Sequence, residues 1–282
     1  MKLTTFATIA CTLSSCLALS ALGEETFEVT PDVVYAERDD LQLKLDIYQP
    51  RQLKADPAQR QPAILVVHGG AWRRGNRKQL ASYATALCNR GYVCFAIDYR
   101  LAPDHKFPAQ IDDCRDAVLF IRDNAETYCV DPARVGAVGY SAGGHLVSLL
   151  ATTGKEGDAG NTRLQAAVAG GAPTEFRFLP DSGRGLAYWL GEAGDGNENH
   201  QLASPTAHAS EDDCPVFFFN GDADALVPPR WSELLFTSLK NAGVTTIMHT
   251  IPDAGHMQAA LDADALTAAW TFFDEHLQPP AE

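Results

Sequence analysis

Short apolar runs recur along this chain, at 63–67, 92–97, 134–138, 164–169, 214–219 and 245–251. All but one are followed by a helix-length segment of mixed polarity. The run Ala63-Ile64-Leu65-Val66-Val67 has no polar alternation, so as a strand it needs apolar cover on both faces. Strands and helices in strict alternation specify a mostly parallel sheet with helices on both faces, an α/β fold. The helices are expected at about 78–90, 108–127, 145–151, from Pro228 or Pro229 to before Gly243, and 259–276. One hairpin departs from the rhythm. The stretches 33–35 and 41–48 alternate around Arg38-Asp39-Asp40, which predicts an antiparallel pair. A polar, proline-containing loop then runs over 49–62.

The chain has 282 residues, enough for one large domain that buries roughly three quarters of its unfolded surface. No linker divides it, and 46% hydrophobic content fits an ample core. A formal charge of −14 argues against nucleic acid or an anionic membrane as partner. Residues 1–23 stand apart. Lys2 precedes an apolar stretch at 6–22 that is too short and polar to span a bilayer, and Ala21-Leu22-Gly23 suits a signal peptidase. This predicts export, with 24–282 as the mature single domain. Leu13-Ser14-Ser15-Cys16 also resembles a lipobox, so a lipid anchor on Cys16 stays open beside free release. Removal of Cys11 and Cys16 leaves five cysteines: Cys88, Cys94, Cys114, Cys129 and Cys214. They read as small buried hydrophobes with room for one disulfide, their pairing open. No spacing suggests a metal site.

Chemistry concentrates at Gly139-Tyr140-Ser141-Ala142-Gly143-Gly144. An apolar strand precedes it and a helix follows, the context of a nucleophile elbow. Side chains at the flanking glycines would collide with the neighbouring strand and helix, and the new helix aims free N–H groups where negative charge develops. A serine nucleophile needs a base and an orienting acid. Asp224 follows the run ending at Phe219, and His256 follows the one ending at Ile251, so Ser141, Asp224 and His256 lie in one chain order past strand ends. Asp222 competes with Asp224; the acid not used should bond the turn. Among the other histidines, His68 reads as structural and His145 as pointing into the core. His105, His200 and His276 read as solvated, and His208 and His249 have no favourable spacing. Upstream, His68-Gly69-Gly70-Ala71-Trp72 closes a buried strand. Its small residues let the N–H groups of Gly70 and Ala71, with that of Ala142, reach an oxyanion. The stretch from about 175 to 210 carries Leu186-Ala187-Tyr188-Trp189-Leu190 between glycine-rich loops. It reads either as a flap over the strand ends or as a plain surface excursion.

Together with Asp98-Tyr99-Arg100-Leu101-Ala102-Pro103, these motifs span residues 33–276. The set resembles the α/β-hydrolase esterases, within them the hormone-sensitive-lipase-like and bifunctional acetyl/feruloyl esterase groups. The resemblance implies an α/β-hydrolase fold and carboxylic-ester hydrolysis without cofactor or metal. It makes Ser141 the nucleophile, His256 the base, Asp224 the orienting acid, and Gly70, Ala71 and Ala142 the oxyanion donors. The expected substrate is a small or polysaccharide-linked ester with a short acyl or aryl group, acetyl or feruloyl included. Two departures stand out. Ala71-Trp72 follows two glycines where many relatives have a third, and Asn220 stands where relatives carry histidine. The long N-terminal cap helices of hormone-sensitive-lipase relatives are also missing, which favours an open site. An amidase or exopeptidase of the prolyl-oligopeptidase type, a lipase on longer chains, and a non-enzymatic binding module are the rival readings. Oligomeric state is not legible.

Overall fold

Residues 26–54, 60–157, 160–178, 185–191 and 198–278 are described by the computed structural model. The expected export signal and Cys16 lie outside them. β1 (Phe27–Arg38) and β2 (Leu41–Pro50) form the antiparallel hairpin, longer at both ends than the alternating stretches indicated. β3 (Gln61–Val67), α1 (Ala81–Cys88), β4 (Val93–Ile97) and α2 (Ala109–Asp123) follow. Then come β5 (Val130–Tyr140), α3 (Ala142–Thr153), a small ribbon of β6 (Glu156–Gly157) and β7 (Gly160–Asn161), and β8 (Ala166–Gly170). Two short helices, α4 (Ala187–Leu190) and α5 (Asn199–Leu202), precede β9 (Val216–Gly221) and α6 (Arg230–Asn241). β10 (Thr246–Ile251), α7 (His256–Ala259) and α8 (Ala263–Leu277) close the chain.

The main sheet has 8 strands in the order β1-β2-β4-β3-β5-β8-β9-β10. From β4 to β10 every pair is parallel; the hairpin adds the antiparallel edge. Alternation inside the apolar runs now has its reason. Leu65 and Val67 face a core made with α2, α3 and α6, while Ile64 and Val66 face one made with α1 and α8. Each strand therefore needs apolar residues at every position. The chain winds outward from β3 to β4 and then returns to lay β5 on β3's other side. That reversal opens a crevice at the carboxyl ends of β3 and β5.

Four expectations change in detail. The helix foreseen at 78–90 starts at Ala81, because Asn76 first makes a turn, its side chain accepting from the Lys78 N–H at 3.0 Å. The helix foreseen at 259–276 is α8 and starts at Ala263, where Asp262 caps it by accepting from the Ala265 N–H at 2.8 Å; the short α7 precedes it. All five cysteines are free and buried, so none forms the disulfide that was allowed for. His105, His200 and His276 are partly buried rather than solvated, His276 against Phe272 with ring centroids 4.4 Å apart.

Candidate active site

Ser141 occupies the sharp turn between β5 and α3, with φ of 58° and ψ of −122°. A non-glycine residue held there carries strain of about 1–3 kcal/mol. The flanking glycines make the turn sterically feasible. A Cβ on Gly139 would lie 2.4 Å from the Gly143 carbonyl carbon, and one on Gly143 would lie 2.0 Å from the Val67 oxygen. One contact is with α3 and the other with β3, so both neighbours close in on the elbow. The Ser141 N–H donates to the Gly170 carbonyl at 2.8 Å, and the Ser141 carbonyl accepts from His145 N–H at 2.9 Å. The serine itself is half-buried and opens onto a cavity. Ala142 begins α3, so its N–H has no partner within the helix and sits at the positive end of the dipole.

Asp224 is buried in the loop after β9. One carboxylate oxygen accepts from the Leu226 and Val227 N–H groups at 2.9 and 2.8 Å. The other lies 2.6 Å from His256 Nδ1. With the proton on Nδ1 donated into that contact, Nε2 keeps its lone pair. Tyr140, directly before the serine, donates its hydroxyl to the His256 carbonyl, and the two rings sit 5.0 Å apart. Burial, with Asp224 nearby, pushes the Tyr140 phenol up, so it stays a donor. The end of β8 joins serine and imidazole: its Gly170 carbonyl accepts the Ser141 N–H, and a Cβ on the next residue, Gly171, would lie 3.0 Å from His256 Cε1. Asp222 makes no such approach. Its carboxylate accepts from the Asp253 N–H at 2.7 Å and ties the turns after β9 and β10 together.

The turn after β3 faces the elbow. Gly70 has φ of 112°, and a Cβ there would meet the Arg74 carbonyl oxygen at 2.1 Å. Ala71 and Trp72 follow with φ of 54° and 57°. Ala71, Trp72, Ser141 and Ala142 line one cavity of about 260 Å³ with Phe176, Leu186, Tyr188, Leu226, Val227 and Trp231. Gly70 is not among its lining residues; it shapes the turn beside them.

Several residues that brace this turn gave no isolated signal in the sequence. Tyr99 stacks on His68 with centroids 4.1 Å apart and donates to the His68 carbonyl at 3.0 Å. The Trp72 carbonyl accepts from the Ala102 N–H at 2.8 Å. Arg100 holds this connection by donating its guanidinium to the fully buried Asp113 carboxylate. The motif 98–103 thus supports the turn rather than facing substrate. His145 does point into the core. Its Nδ1 accepts from Trp72 Nε1 at 3.1 Å and its Nε2 is 2.7 Å from the Ala203 carbonyl. Burial lowers its pKa to about 4, so the ring is neutral. Burial also lowers that of His68, whose Nε2 has no partner among the described residues. The Asn220 side chain is likewise buried without a partner there, so this departure supplies no bond to the acid loop.

The BD-FAE family profile matches residues 45–239. The chain is 27% identical to the esterase LipQ of Mycobacterium tuberculosis over 80% of its own length and 56% of that protein. It spans about half the length of the curated relatives it matches. Among solved structures, a truncated carbohydrate esterase from gut microbiota superposes with a TM-score of 0.80 at 26% identity, covering 91% of this chain and 99% of that one. The propionate-bound esterase Est2 of Thermogutta terrifontis superposes at 0.76 with 27% identity, covering 91% and 97%. The 8-stranded, mostly parallel sheet and these neighbours give the same architecture, and the chain belongs to the BD-FAE family within the α/β-hydrolase fold.

Proposed function

We propose that this protein is a serine carboxylesterase for short acyl or aryl esters. Ser141 is the nucleophile, His256 the base and Asp224 the acid that orients it. The observation that carries the reading is the 2.6 Å contact between Asp224 and His256 Nδ1, beside an elbow that holds a strained serine at the wall of a largely apolar cavity. His256 Nε2 accepts the Ser141 hydroxyl proton as Oγ attacks the ester carbonyl carbon. Negative charge moves to the carbonyl oxygen, toward the N–H groups of Gly70, Ala71 and Ala142. Donors of this kind are worth roughly 2.7–4 kcal/mol each in the transition state. The C–O bond then breaks, and the alcohol leaves with the proton that His256 had taken. Water, deprotonated by the same imidazole, attacks the acyl-serine carbonyl; Oγ leaves, regains the proton and releases the carboxylic acid.

Cavity size supports a small acyl part. About 260 Å³ is below the roughly 300–1,000 Å³ typical of sites for drug-sized ligands, and a long lipid chain would overrun it. A relative solved with propionate bound fits the same size class, and the gut carbohydrate esterase supports acetyl or feruloyl groups on polysaccharide as natural substrates. The domain is taken as 24–282, and within the stretch of about 175–210 the described Phe176, Leu186 and Tyr188 line the cavity. We place the protein outside the cytoplasm on the strength of residues 1–23, with Cys16 as the alternative point of lipid attachment. The test is hydrolysis of 4-nitrophenyl acetate, with acetylated xylan and methyl ferulate alongside. Ser141→Ala should abolish turnover and labelling by a fluorophosphonate. Turnover that survives this substitution unchanged rejects the assignment.

A further inference from the structure

The peptide units on either side of the Ala71 α-carbon are both pinned, by different partners. The Gly70 carbonyl accepts from the N–H groups of Arg73 and Arg74, each at 3.2 Å. A trans peptide directs its N–H opposite to its carbonyl, so this turn aims the Ala71 N–H away from residues 73 and 74. The Ala71 carbonyl accepts from the Tyr188 hydroxyl at 2.8 Å. Between these two fixed planes lies a φ of 54°, a left-handed conformation that alanine leaves unless its surroundings over-determine it.

Tyr188 belongs to α4, far along the chain, and its own position is fixed in three ways. The Arg73 guanidinium lies 5.2 Å from its ring centroid. The adjoining Trp189 stacks on Trp72 at 3.7 Å with the ring planes 2° apart. Trp189 in turn donates its indole N–H to Gln110 at 3.0 Å and accepts on its carbonyl from the Phe107 N–H at 2.9 Å. The Tyr188 ring also lines the cavity that contains Ser141. One side chain therefore touches both the acyl space and the backbone of the oxyanion turn.

We propose that Tyr188 is a positioning residue for ester hydrolysis: its hydroxyl locks the Ala71 backbone so that the Ala71 N–H meets the developing oxyanion. This rests on the esterase reading above. The bond acts on the donor's orientation and leaves ground-state acyl contacts to the ring, so the hydroxyl serves kcat and the ring serves KM. Burial holds the phenol above its ordinary range, which keeps the proton available for donation.

The experiment compares wild type, Tyr188→Phe and Leu186→Ala on 4-nitrophenyl acetate, with circular dichroism and unfolding temperature to verify folding. Removing a whole oxyanion donor costs roughly 100- to 1,000-fold in kcat. Misaligning one is expected to cost roughly 10- to 100-fold in Tyr188→Phe, with KM within about twofold. Leu186→Ala, which enlarges the cavity without reaching the Ala71 carbonyl, should move KM and spare kcat. A second readout is inhibition by a trifluoromethyl ketone, whose serine adduct carries the oxyanion. Its affinity should fall in parallel with kcat in Tyr188→Phe, while binding of the carboxylate product stays unchanged. A folded Tyr188→Phe with wild-type kcat and wild-type ketone affinity overturns the lock and leaves the esterase reading intact. Wild-type protein that hydrolyses no ester overturns both.

Discussion

His145 offers a stability measurement that reports on the active-site scaffold without any substrate. It is fully buried on α3, accepts from the Trp72 indole and bonds the Ala203 carbonyl. With Nδ1 receiving a proton and Nε2 giving one, the neutral tautomer is saturated. A second proton would have to sit on Nδ1, against the Trp72 N–H. Burial accordingly takes the pKa from 6.5 to about 4. The folded-state value lies below the unfolded one, so the unfolded chain binds the extra proton first. Stability is then complete above about pH 6.5 and is lost as pH falls toward about 4. A gap of that size corresponds to roughly 3 kcal/mol, most of which has gone by pH 4.5. The perturbation is His145→Gln, which cannot take up a proton. Urea unfolding of both proteins at pH 7.5 and pH 4.5 isolates the effect, since His68 and the carboxylates titrate in each. Wild type should lose roughly 2–3 kcal/mol more than the variant between the two pH values. A difference between the proteins that stays constant within about 0.5 kcal/mol would refute the neutral, doubly bonded imidazole.

Asp224→Asn should lower kcat roughly 10,000-fold through the wrong imidazole tautomer, with unfolding temperature nearly unchanged; pre-steady-state acylation of 4-nitrophenyl acetate reads it. Gly143→Ala puts a methyl 2.0 Å from the Val67 oxygen, so it should destabilise by about 1–3 kcal/mol or more and displace Ser141, seen as joint losses in unfolding temperature and kcat. Trp231→Ala opens the cavity wall and should raise kcat/KM for hexanoyl over acetyl esters by roughly 10-fold or more. Burial pushes the Cys88 and Cys214 thiols up to about 12 and holds Cys94 and Cys114 well above the ordinary range. Site-resolved mass spectrometry should therefore find these four unalkylated by iodoacetamide at pH 8 in native protein and alkylated in denaturant.

The sheet was legible because its signals are local. An unbroken run such as 63–67 can only be a strand covered on both faces, and its partners follow from alternation with helices. The elbow was legible for a related reason: Gly139 and Gly143 are demanded by contacts with elements immediately before and after them or on the adjacent strand. Asp224 and His256 could be placed past strand ends from chain order, but chain order does not encode that Asp224 meets His256 Nδ1 at 2.6 Å while Asp222 accepts from the Asp253 N–H. The bracing of the turn at 70–72 was not legible. Trp72 with Trp189, and Tyr188 with Ala71, are contacts between residues 117 positions apart, and no periodicity encodes them. His145 read as pointing into the core, but its two partners, Trp72 and Ala203, lie 73 and 58 positions away and left no local signal. The later start of α8 was missed although Asp262 is an ordinary capping residue, because the apolar pattern of 259–276 runs through it.

The aromatic helix α4 has a consequence for anyone who would exchange parts between such enzymes. Its indole lies flat on the one that follows the oxyanion residues, while its neighbours wall the acyl space. A replacement segment that lacked this tryptophan face and phenol, made to alter substrate choice, would leave both contacts unmade. Selectivity would change as intended, and rate would drop with it until the recipient's 71–72 backbone was re-seated by compensating substitutions.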